Sequence, residues 1–261
     1  MQIDLTGKTA YVGGSTQGIG WATAQELAKA GANVVLMGRN QAQLEKNLAH
    51  LQTISSGNHD LLCADLLDTQ ALENAITQKV AERPAHILVN NAGGPPPGPA
   101  HKAPLSEYET AFRMHLLANQ VLAQAVIPSM KEAGYGRIVN VISTSVKQPL
   151  PNLGVSNTIR GAVGNWAKTL ANELGEFGIT VNNVLPGATA TGRLDGIIKN
   201  KSEKMGISLD AAAQAMTNQV PAKRFAQPEE LAYAICFLAS DKASYINGIN
   251  VPVDGGRTGS L

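Results

Sequence analysis

The sequence predicts a single α/β domain, in which a parallel β-sheet is covered by helices on both faces. Short apolar runs alternate along the chain with longer segments whose apolar residues recur at helical spacing. Parallel strands need a crossover connection, and right-handed crossovers make a doubly wound sheet the simplest topology. A glycine-rich stretch, 14–20, separates the first apolar run from the first helical segment. The 261 residues suit one such domain, with neither an internal repeat nor a second domain.

The predicted elements follow one another in a regular order. Strands are predicted at the apolar runs 9–12, 34–37, 59–64, 86–90, 137–142, 180–185 and 250–253. Helices are predicted at 21–30, 41–54, 68–82, 105–131 (one helix or two joined), 153–176 and 228–238. Asp68 is predicted to cap its helix, and Pro228 suits the first turn of the last one. The Pro/Gly stretch 93–99 is predicted to be a loop, and the polar, interrupted segment 192–220 to be mobile.

Ligands of a doubly wound sheet bind at the carboxyl ends of its strands. The loops predicted to surround one crevice at that edge are 13–20, 38–40, 65–67, 90–99 and the segments after Ile142 and Leu185.

Composition argues against several classes of protein. The net charge is +1 with both signs spread along the chain, so neither a nucleic-acid partner nor a membrane-binding face is expected. No signal peptide is predicted, and no run approaches the roughly 18 apolar residues of a membrane span. We therefore expect a cytoplasmic protein. Cys63 and Cys236 lack metal-site spacing and lie in apolar runs, which predicts two buried free thiols and no metal site.

The stretch Gly14-Ser-Thr-Gln-Gly18-Ile-Gly20 has the composition of a phosphate-binding turn. Its glycines let the backbone bend sharply and approach a ligand closely. The helix that follows would direct free N–H groups and the positive end of its dipole at an anion. Glycines alone would also suit a plain tight turn, but their place between a strand and a helix favours a nucleotide site.

Further short motifs accompany this turn along the chain. They are Asp65-Leu66, Asn90-Asn-Ala-Gly93, Pro186-Gly187 with Thr191, Pro228-Glu-Glu, Phe237-Leu-Ala-Ser240 and Val253-Asp-Gly-Gly256. In this order the motifs resemble the classical short-chain dehydrogenases/reductases over almost the whole chain, particularly members similar to 3-oxoacyl-ACP reductases. Gly13 departs from the pattern, since a threonine is usual there. The resemblance implies a single Rossmann-type domain over 1–261 and a nicotinamide cofactor.

The resemblance also implies which residues bind that cofactor. They are Gly14, Ser15, Thr16, Gln17, Gly18, Ile19 and Gly20 at the turn, Asp65 and Leu66 at the adenine, Asn91, Ala92 and Gly93 after the fourth strand, Arg160 at the ribose, and Pro186, Gly187 and Thr191 at the nicotinamide carboxamide.

The choice between NADP(H) and NAD(H) depends on the residues after the second strand. NAD-binding folds place an acid about 20 residues past the glycine turn, on the ribose 2′-OH. Here Arg39 and Asn40 occupy that place. The planar guanidinium of Arg39 could pair with a 2′-phosphate, and Asn40 could add a neutral donor. We therefore predict NADP(H) over NAD(H), although Arg39 could instead simply end a strand in solvent.

The family's catalytic set is Asn, Ser, Tyr and Lys, and the resemblance carries over only in part. Ser143 matches the serine, whereas the Asn, Tyr and Lys positions hold His115, Ser156 and Arg160. A serine hydroxyl is far less acidic than a phenol and has a shorter reach, so Ser156 is a poor general acid by itself. Arg160 stays protonated, which lets it bind a ribose but prevents it from relaying a proton.

Three alternatives remain for the proton path. His115, with a pKa near neutrality, could shuttle a proton, or it could be a structural histidine bonded to a backbone carbonyl. Lys147 could reach the crevice, although a solvated loop lysine is the commoner case. A water held by Ser143 and Ser156 is the third. The sequence does not choose among them.

The substrate side of the crevice is less informative. The segment 192–220 corresponds to the family's substrate lid, and its basic residues interleaved with apolar ones suit an apolar substrate with an anionic end, or else a plain amphipathic surface. The resemblance implies a homotetramer paired through the helices at 105–131 and 153–176.

Two functions are consistent with these residues. The first is an NADP(H)-dependent oxidoreductase that reduces a small-molecule carbonyl, either 3-oxoacyl thioester-like or another ketone, by hydride transfer with a non-standard proton donor. The second is a catalytically impaired NADP(H)-binding protein that acts as a sensor or an assembly partner. Fold alone does not decide between them.

Overall fold

A computed structural model describes residues 2–260, which form one sheet of seven parallel strands with helices on both faces. The strand order is β3-β2-β1-β4-β5-β6-β7, and every pair of neighbours is parallel. The strands are β1 (Thr9–Val12), β2 (Asn33–Gly38), β3 (Asp60–Cys63), β4 (Ile87–Asn90), β5 (Gly136–Val141), β6 (Ile179–Pro186) and β7 (Asn250–Val253). The predicted doubly wound parallel sheet is confirmed.

The helices alternate with the strands as the periodicity predicts. They are α1 (Gly18–Lys29), α2 (Gln41–Ile54), α3 (Thr69–Glu82), α4 (Leu105–Phe112), α5 (Ala118–Glu132), α6 (Gly154–Leu174), α7 (Gly192–Met205), α8 (Leu209–Thr217) and α9 (Pro228–Leu238). The predicted segment 105–131 consists of α4 and α5, joined by one π-helical turn at Arg113–Leu117. Asp68 caps α3 as predicted, by accepting a hydrogen bond from the backbone of Ala71.

Both faces of the sheet are buried, which is why its strands read as continuous apolar runs. Alternate residues of β1 enter different cores: Ala10 and Val12 pack with α1, α2 and α9, whereas Tyr11 packs with α3, α5 and α6. The strands therefore have little freedom to move, and the loops at their carboxyl ends start from fixed points.

The strand order reverses between β1 and β4. The chain runs outward from β1 through β2 to β3, and then returns to place β4 on the other side of β1. The helices that follow β1 and β4 thus lie on opposite faces, and the loops at the ends of these two strands diverge. This divergence opens the crevice in which such sheets bind nucleotides.

A row of four asparagine amides crosses the sheet from β4 to β7. Asn90 donates to Asn140 (2.8 Å), Asn140 to Asn183 (2.9 Å), and Asn183 to Asn250 (2.8 Å). The four residues are direct partners in the strand register. The side-chain oxygen of Asn90, at the start of the row, is buried and has no partner within 2–260. We call these four residues the amide row.

The segment 192–220, predicted to be an interrupted polar lid, is mostly helical. The interruption lies between α7 and α8, where Gly206 adopts a left-handed conformation (φ 62°) and Ser208 caps α8. Glycine is favoured at such a position because it carries no Cβ. The mobility of this segment stays a prediction.

The two cysteines have different environments. Cys236 is buried in α9 as predicted, and burial raises the pKa of its thiol to about 11. The prediction that Cys63 is buried is wrong, because it ends the edge strand β3 and is exposed. Both thiols are free.

None of the helices in the described part of the chain has the length and apolar character needed to cross a bilayer. Within 2–260 no group of three or more His, Cys, Asp or Glu side chains is arranged to hold a metal ion.

Candidate cofactor and active site

The glycine turn between β1 and α1 has a conformation that side chains would prevent. Gly14 and Gly18 adopt positive φ angles of 59° and 58°. A Cβ on Gly20 would collide with the carbonyl of Gly14 and lie 2.7 Å from the carbonyl oxygen of Gly13. A Cβ on Gly13 would lie 2.9 Å from the carbonyl oxygen of Asn91, so the glycine at this unusual position lets the loop after β4 approach closely.

The N-terminus of α1 is open to a ligand. Its N-cap residue, Gln17, makes no side-chain capping bond, and the first turn of the helix carries no acid. The free N–H groups and the positive end of the helix dipole therefore lack a partner of their own, as an anion site requires. This arrangement fits the diphosphate of a dinucleotide.

Two side chains hold the turn against β2 from behind. The buried hydroxyl of Ser15 accepts from the Met37 amide (2.9 Å) and donates to the Met37 carbonyl (3.2 Å). Asn47 of α2 donates to the carbonyls of Ser15 (2.9 Å) and Thr16 (3.1 Å). The Ser15 amide also donates to the Met37 carbonyl (3.1 Å), so the side chain and the backbone of Ser15 both fasten the turn to the sheet. Sequence reasoning missed Asn47, since nothing distinguishes it from other polar residues of α2.

At the end of β2, Arg39 and Asn40 lie exposed where an adenosine ribose would bind. The Asn40 side-chain oxygen caps α2 by accepting from Gln43, which leaves its amide nitrogen free to donate. The sequence has no carboxylate directly after β2, but the fold brings Asp65 from the neighbouring strand end to 4.0 Å from the Arg39 guanidinium. Both groups are more than 40% exposed, so this pair is weak and leaves Arg39 available.

The segment after β6 closes the crevice from the other side. The Gly187 amide donates to Val253 (2.9 Å), and a Cβ on Gly187 would lie 2.7 Å from Cα of Asp254. Thr191 lies against the glycine turn, its methyl group 3.1 Å from where a Cβ of Gly18 would be. The predicted diphosphate and nicotinamide segments are therefore neighbours.

The predicted catalytic residues come from three elements. Ser143 follows β5 and its hydroxyl accepts from the Ser145 amide (3.1 Å). Ser156 and Arg160 lie one turn apart on α6, and both are buried. Arg160 donates to the carbonyl of Val141 (2.9 Å) and makes a longer contact with that of Ala92 (3.5 Å), so its guanidinium lies beside the ends of β5 and β4.

His115 lies in the π-helical turn and is 2% exposed. Burial, followed by the charges of Arg160 and Arg193, lowers the pKa of its imidazole to about 2, and a hydrogen-bonding contribution from the Gly93 backbone opposes them only partly. The expectation of a pKa near neutrality is therefore wrong, and His115 is neutral at any ordinary pH. Single-turn π-helical insertions are frequent at functional sites.

Arg193 begins the lid and is one of the basic lid residues that the sequence suits to the anionic end of a substrate, but its contact with the opposite wall was not predicted. Its guanidinium donates to the carbonyls of Gly94 (2.8 Å) and Pro95 (3.3 Å), which ties α7 to the Pro/Gly loop across the crevice. Burial of Arg160, followed by the charge of Arg193, lowers the pKa of Arg160 to about 10, so Arg160 still carries its charge at neutral pH. A basic residue in a variable lid gives no signal in the sequence that it reaches the opposite wall.

Comparisons with known proteins agree with this geometry. Residues 14–258 match the family described as Enoyl-(Acyl carrier protein) reductase. The chain is 32% identical to the 3-oxoacyl-[acyl-carrier-protein] reductase FabG of Rickettsia conorii, over 97% of this chain and 98% of that protein. It is 29% identical to the NADPH-dependent reductase BacG of Bacillus subtilis, over 98% and 100%. The crystal structure of L-sorbose reductase from Gluconobacter frateurii, complexed with NADPH and L-sorbose, superimposes with a TM-score of 0.94 at 31% identity, covering both chains completely.

Proposed function

The chain belongs to the short-chain dehydrogenase/reductase family, and we propose that it is an NADP(H)-dependent oxidoreductase that reduces the carbonyl of a small molecule. The observation that carries the proposal is the glycine turn, where the backbone leaves space that any Cβ would fill and α1 presents an uncapped N-terminus. Three similar proteins described as using or binding NADPH, or as ketone reductases, support the same chemistry.

The residues that would hold the cofactor form a continuous path along the crevice. The turn 14–20 would bind the diphosphate, Asp65 and Leu66 would contact the adenine, and Pro186 to Thr191 would hold the carboxamide. When bound, the nicotinamide supplies the hydride. Arg39 would bind the 2′-phosphate, since its pairing with exposed Asp65 is weak.

The proton path is proposed to differ from the family's pattern. Ser143 and Ser156 would hold the substrate oxygen, and the buried charge of Arg160 would stabilise negative charge that develops on it. His115 cannot act as an imidazolium acid, because the pKa of its imidazole is about 2 and the ring is therefore neutral. We therefore assign the proton to a water held by the two serines.

Arg39→Ala tests the cofactor preference. We expect the Kd for NADPH to rise about 10- to 100-fold, because one or two charge-assisted hydrogen bonds are lost. The Kd for NADH should change less than about twofold. Fluorescence titration with both cofactors measures this. Arg113→Ala, an exposed arginine on the π-helical turn, is the matched control. Equal weakening of NADPH and NADH binding would contradict a 2′-phosphate contact.

Turnover tests the reaction itself. The pure protein is mixed with NADPH and a panel of ketones, 3-oxoacyl thioesters and oxo acids, and the absorbance of NADPH is followed. We expect at least one carbonyl compound to oxidise NADPH. The pH profile of the rate should show no step caused by His115 between about pH 5 and 8, because an imidazole with so low a pKa does not titrate there.

The second candidate is a protein that binds NADPH without turnover. It is favoured because the Ser156 hydroxyl is weakly acidic and His115 does not titrate near neutral pH, so neither is a good proton donor. The double variant Ser156→Tyr with Arg160→Lys distinguishes the two. A native protein that binds NADPH but reduces nothing, together with a double variant that turns over, would support the sensor or assembly role and refute the enzyme.

A further inference from the structure

Three basic side chains meet on the substrate side of the crevice. Arg160 of α6 is 7% exposed, His115 of the π-helical turn is 2% exposed, and Arg193 at the start of the lid is exposed at the mouth. The two arginines contact neighbouring residues of one segment, since Arg160 reaches the Ala92 carbonyl (3.5 Å) and Arg193 donates to the Gly94 carbonyl (2.8 Å). Their charges also lower the pKa of the His115 imidazole, after burial. We call these three residues the basic cluster.

No acidic side chain of the described residues 2–260 pairs with either arginine of this cluster. Within 2–260 no carboxylate lies within 4 Å of Arg160 or Arg193, whereas other arginines, such as Arg83 and Arg224, have acidic partners. Arg160 and Arg193 each donate to two backbone carbonyls. A guanidinium has five donors, so each arginine keeps donors for a ligand. Buried charges in proteins are normally paired, and an unpaired one indicates a missing anion.

The histidine adds an independent observation. Its Nε2 atom is buried and has no hydrogen-bond partner among the described residues. Polar atoms buried to this degree are nearly always bonded, and an exception calls for an unseen partner. A carboxylate can accept from two arginines at once, since its two oxygens offer about four acceptor positions.

The cluster surrounds the segment that follows β4. Arg160 contacts the ends of β4 and β5, and Arg193 contacts the Pro/Gly loop after β4. Ser143, proposed to hold the reacting oxygen, follows Val141 by two residues. An anion bound by the cluster would therefore lie within a few bonds of the reacting carbonyl, as in a 2-oxo or 3-oxo acid.

We infer that Arg160 and Arg193 bind the carboxylate of an oxo-acid substrate, next to the buried imidazole of His115. This inference rests on the proposed function, and it narrows the substrate from any carbonyl compound to one with a free acid beside the ketone. Because Arg193 already joins α7 to the Pro/Gly loop, the acid would bind where the lid meets the opposite wall of the crevice.

The test is calorimetry on the protein saturated with NADP⁺, which cannot reduce a ketone. The probes are acetoacetate and phenylpyruvate, each beside its methyl ester. We expect at least one acid to bind about 10-fold or more tightly than its ester. Arg193→Gln should lower the affinity for that acid about 10-fold or more, which is the effect of losing one charge-assisted hydrogen bond. It should change the affinity for the ester by less than about twofold. Arg193→Lys should retain part of the affinity, because the charge is kept.

Lys204→Gln is the matched control, since it removes one positive charge from the exposed surface of the same helix. It should leave the affinity for both acids unchanged. Acids that bind no better than their esters would overturn the inference. So would an Arg193→Gln variant that loses affinity for NADP⁺ but not for the acid, because the cluster would then serve a cofactor phosphate.

The proposed function can fail separately. If the native protein does not bind NADP⁺, the same probes are titrated into the protein alone. Acid binding that depends on Arg193 would then support the anion site without the oxidoreductase, and its absence would overturn both.

Discussion

Gly20→Ala is expected to abolish tight binding of NADPH. The added methyl group would collide with the carbonyl of Gly14 and lie 2.7 Å from the carbonyl oxygen of Gly13, so the turn must open. Opening it moves the backbone N–H groups that would contact the diphosphate. The loss of two charge-assisted hydrogen bonds alone predicts an affinity about 100-fold lower or worse. Titration calorimetry with NADPH measures the effect.

A second glycine supplies the control for this change. Gly196 lies in α7, and a Cβ there would meet nothing within 4 Å. Gly196→Ala should bind NADPH as the native protein does. Thermal unfolding of both variants separates a damaged site from a damaged fold. If folded Gly20→Ala bound NADPH with native affinity, the turn would not be the phosphate site.

Asn140→Ala is expected to lower the free energy of unfolding by about 2 to 6 kcal/mol. Asn140 is fully buried in the middle of the amide row, where it accepts from Asn90 and donates to Asn183. Its removal leaves a donor and an acceptor without a partner, and each unpaired buried polar group costs about 1–3 kcal/mol. Urea unfolding followed by circular dichroism gives the difference.

The comparison is with an asparagine that makes no such bonds. Asn200 is exposed on α7, and Asn200→Ala should change the free energy of unfolding by less than about 0.5 kcal/mol. A value for Asn140→Ala as small as that of Asn200→Ala would mean that water replaces the missing amide.

Local pattern was enough to predict the sheet and the order of its parts. The apolar runs located all seven strands, and the alternation of period gave their parallel arrangement. Asp68 and Pro228 begin their helices as predicted because capping depends only on neighbours in the chain. Cys63 was misplaced because an apolar run does not reveal which strand ends the sheet.

The chemistry of the site depends on contacts between distant residues. The π-helical turn that places His115 adds a residue without any sequence signal, and its low pKa follows from Arg160 and Arg193, which lie far along the chain. The approach of Asp65 to Arg39 arises from the pairing of β3 with β2. The spacing of residues within a short motif does not predict contacts between residues far apart in the chain, whereas it does predict the glycine turn.

The hydrogen bonds between Ser15 and Met37 affect which substitutions the cofactor site can accept during evolution. The hydroxyl holds the turn to the strand just two residues before Arg39, so the diphosphate site keeps its shape whatever follows Gly38. Positions 39 and 40 are exposed and carry none of that support. We expect acidic residues at these two positions to shift the proposed preference from NADPH to NADH while the turn keeps its shape, so that cofactor choice can change independently of the diphosphate site.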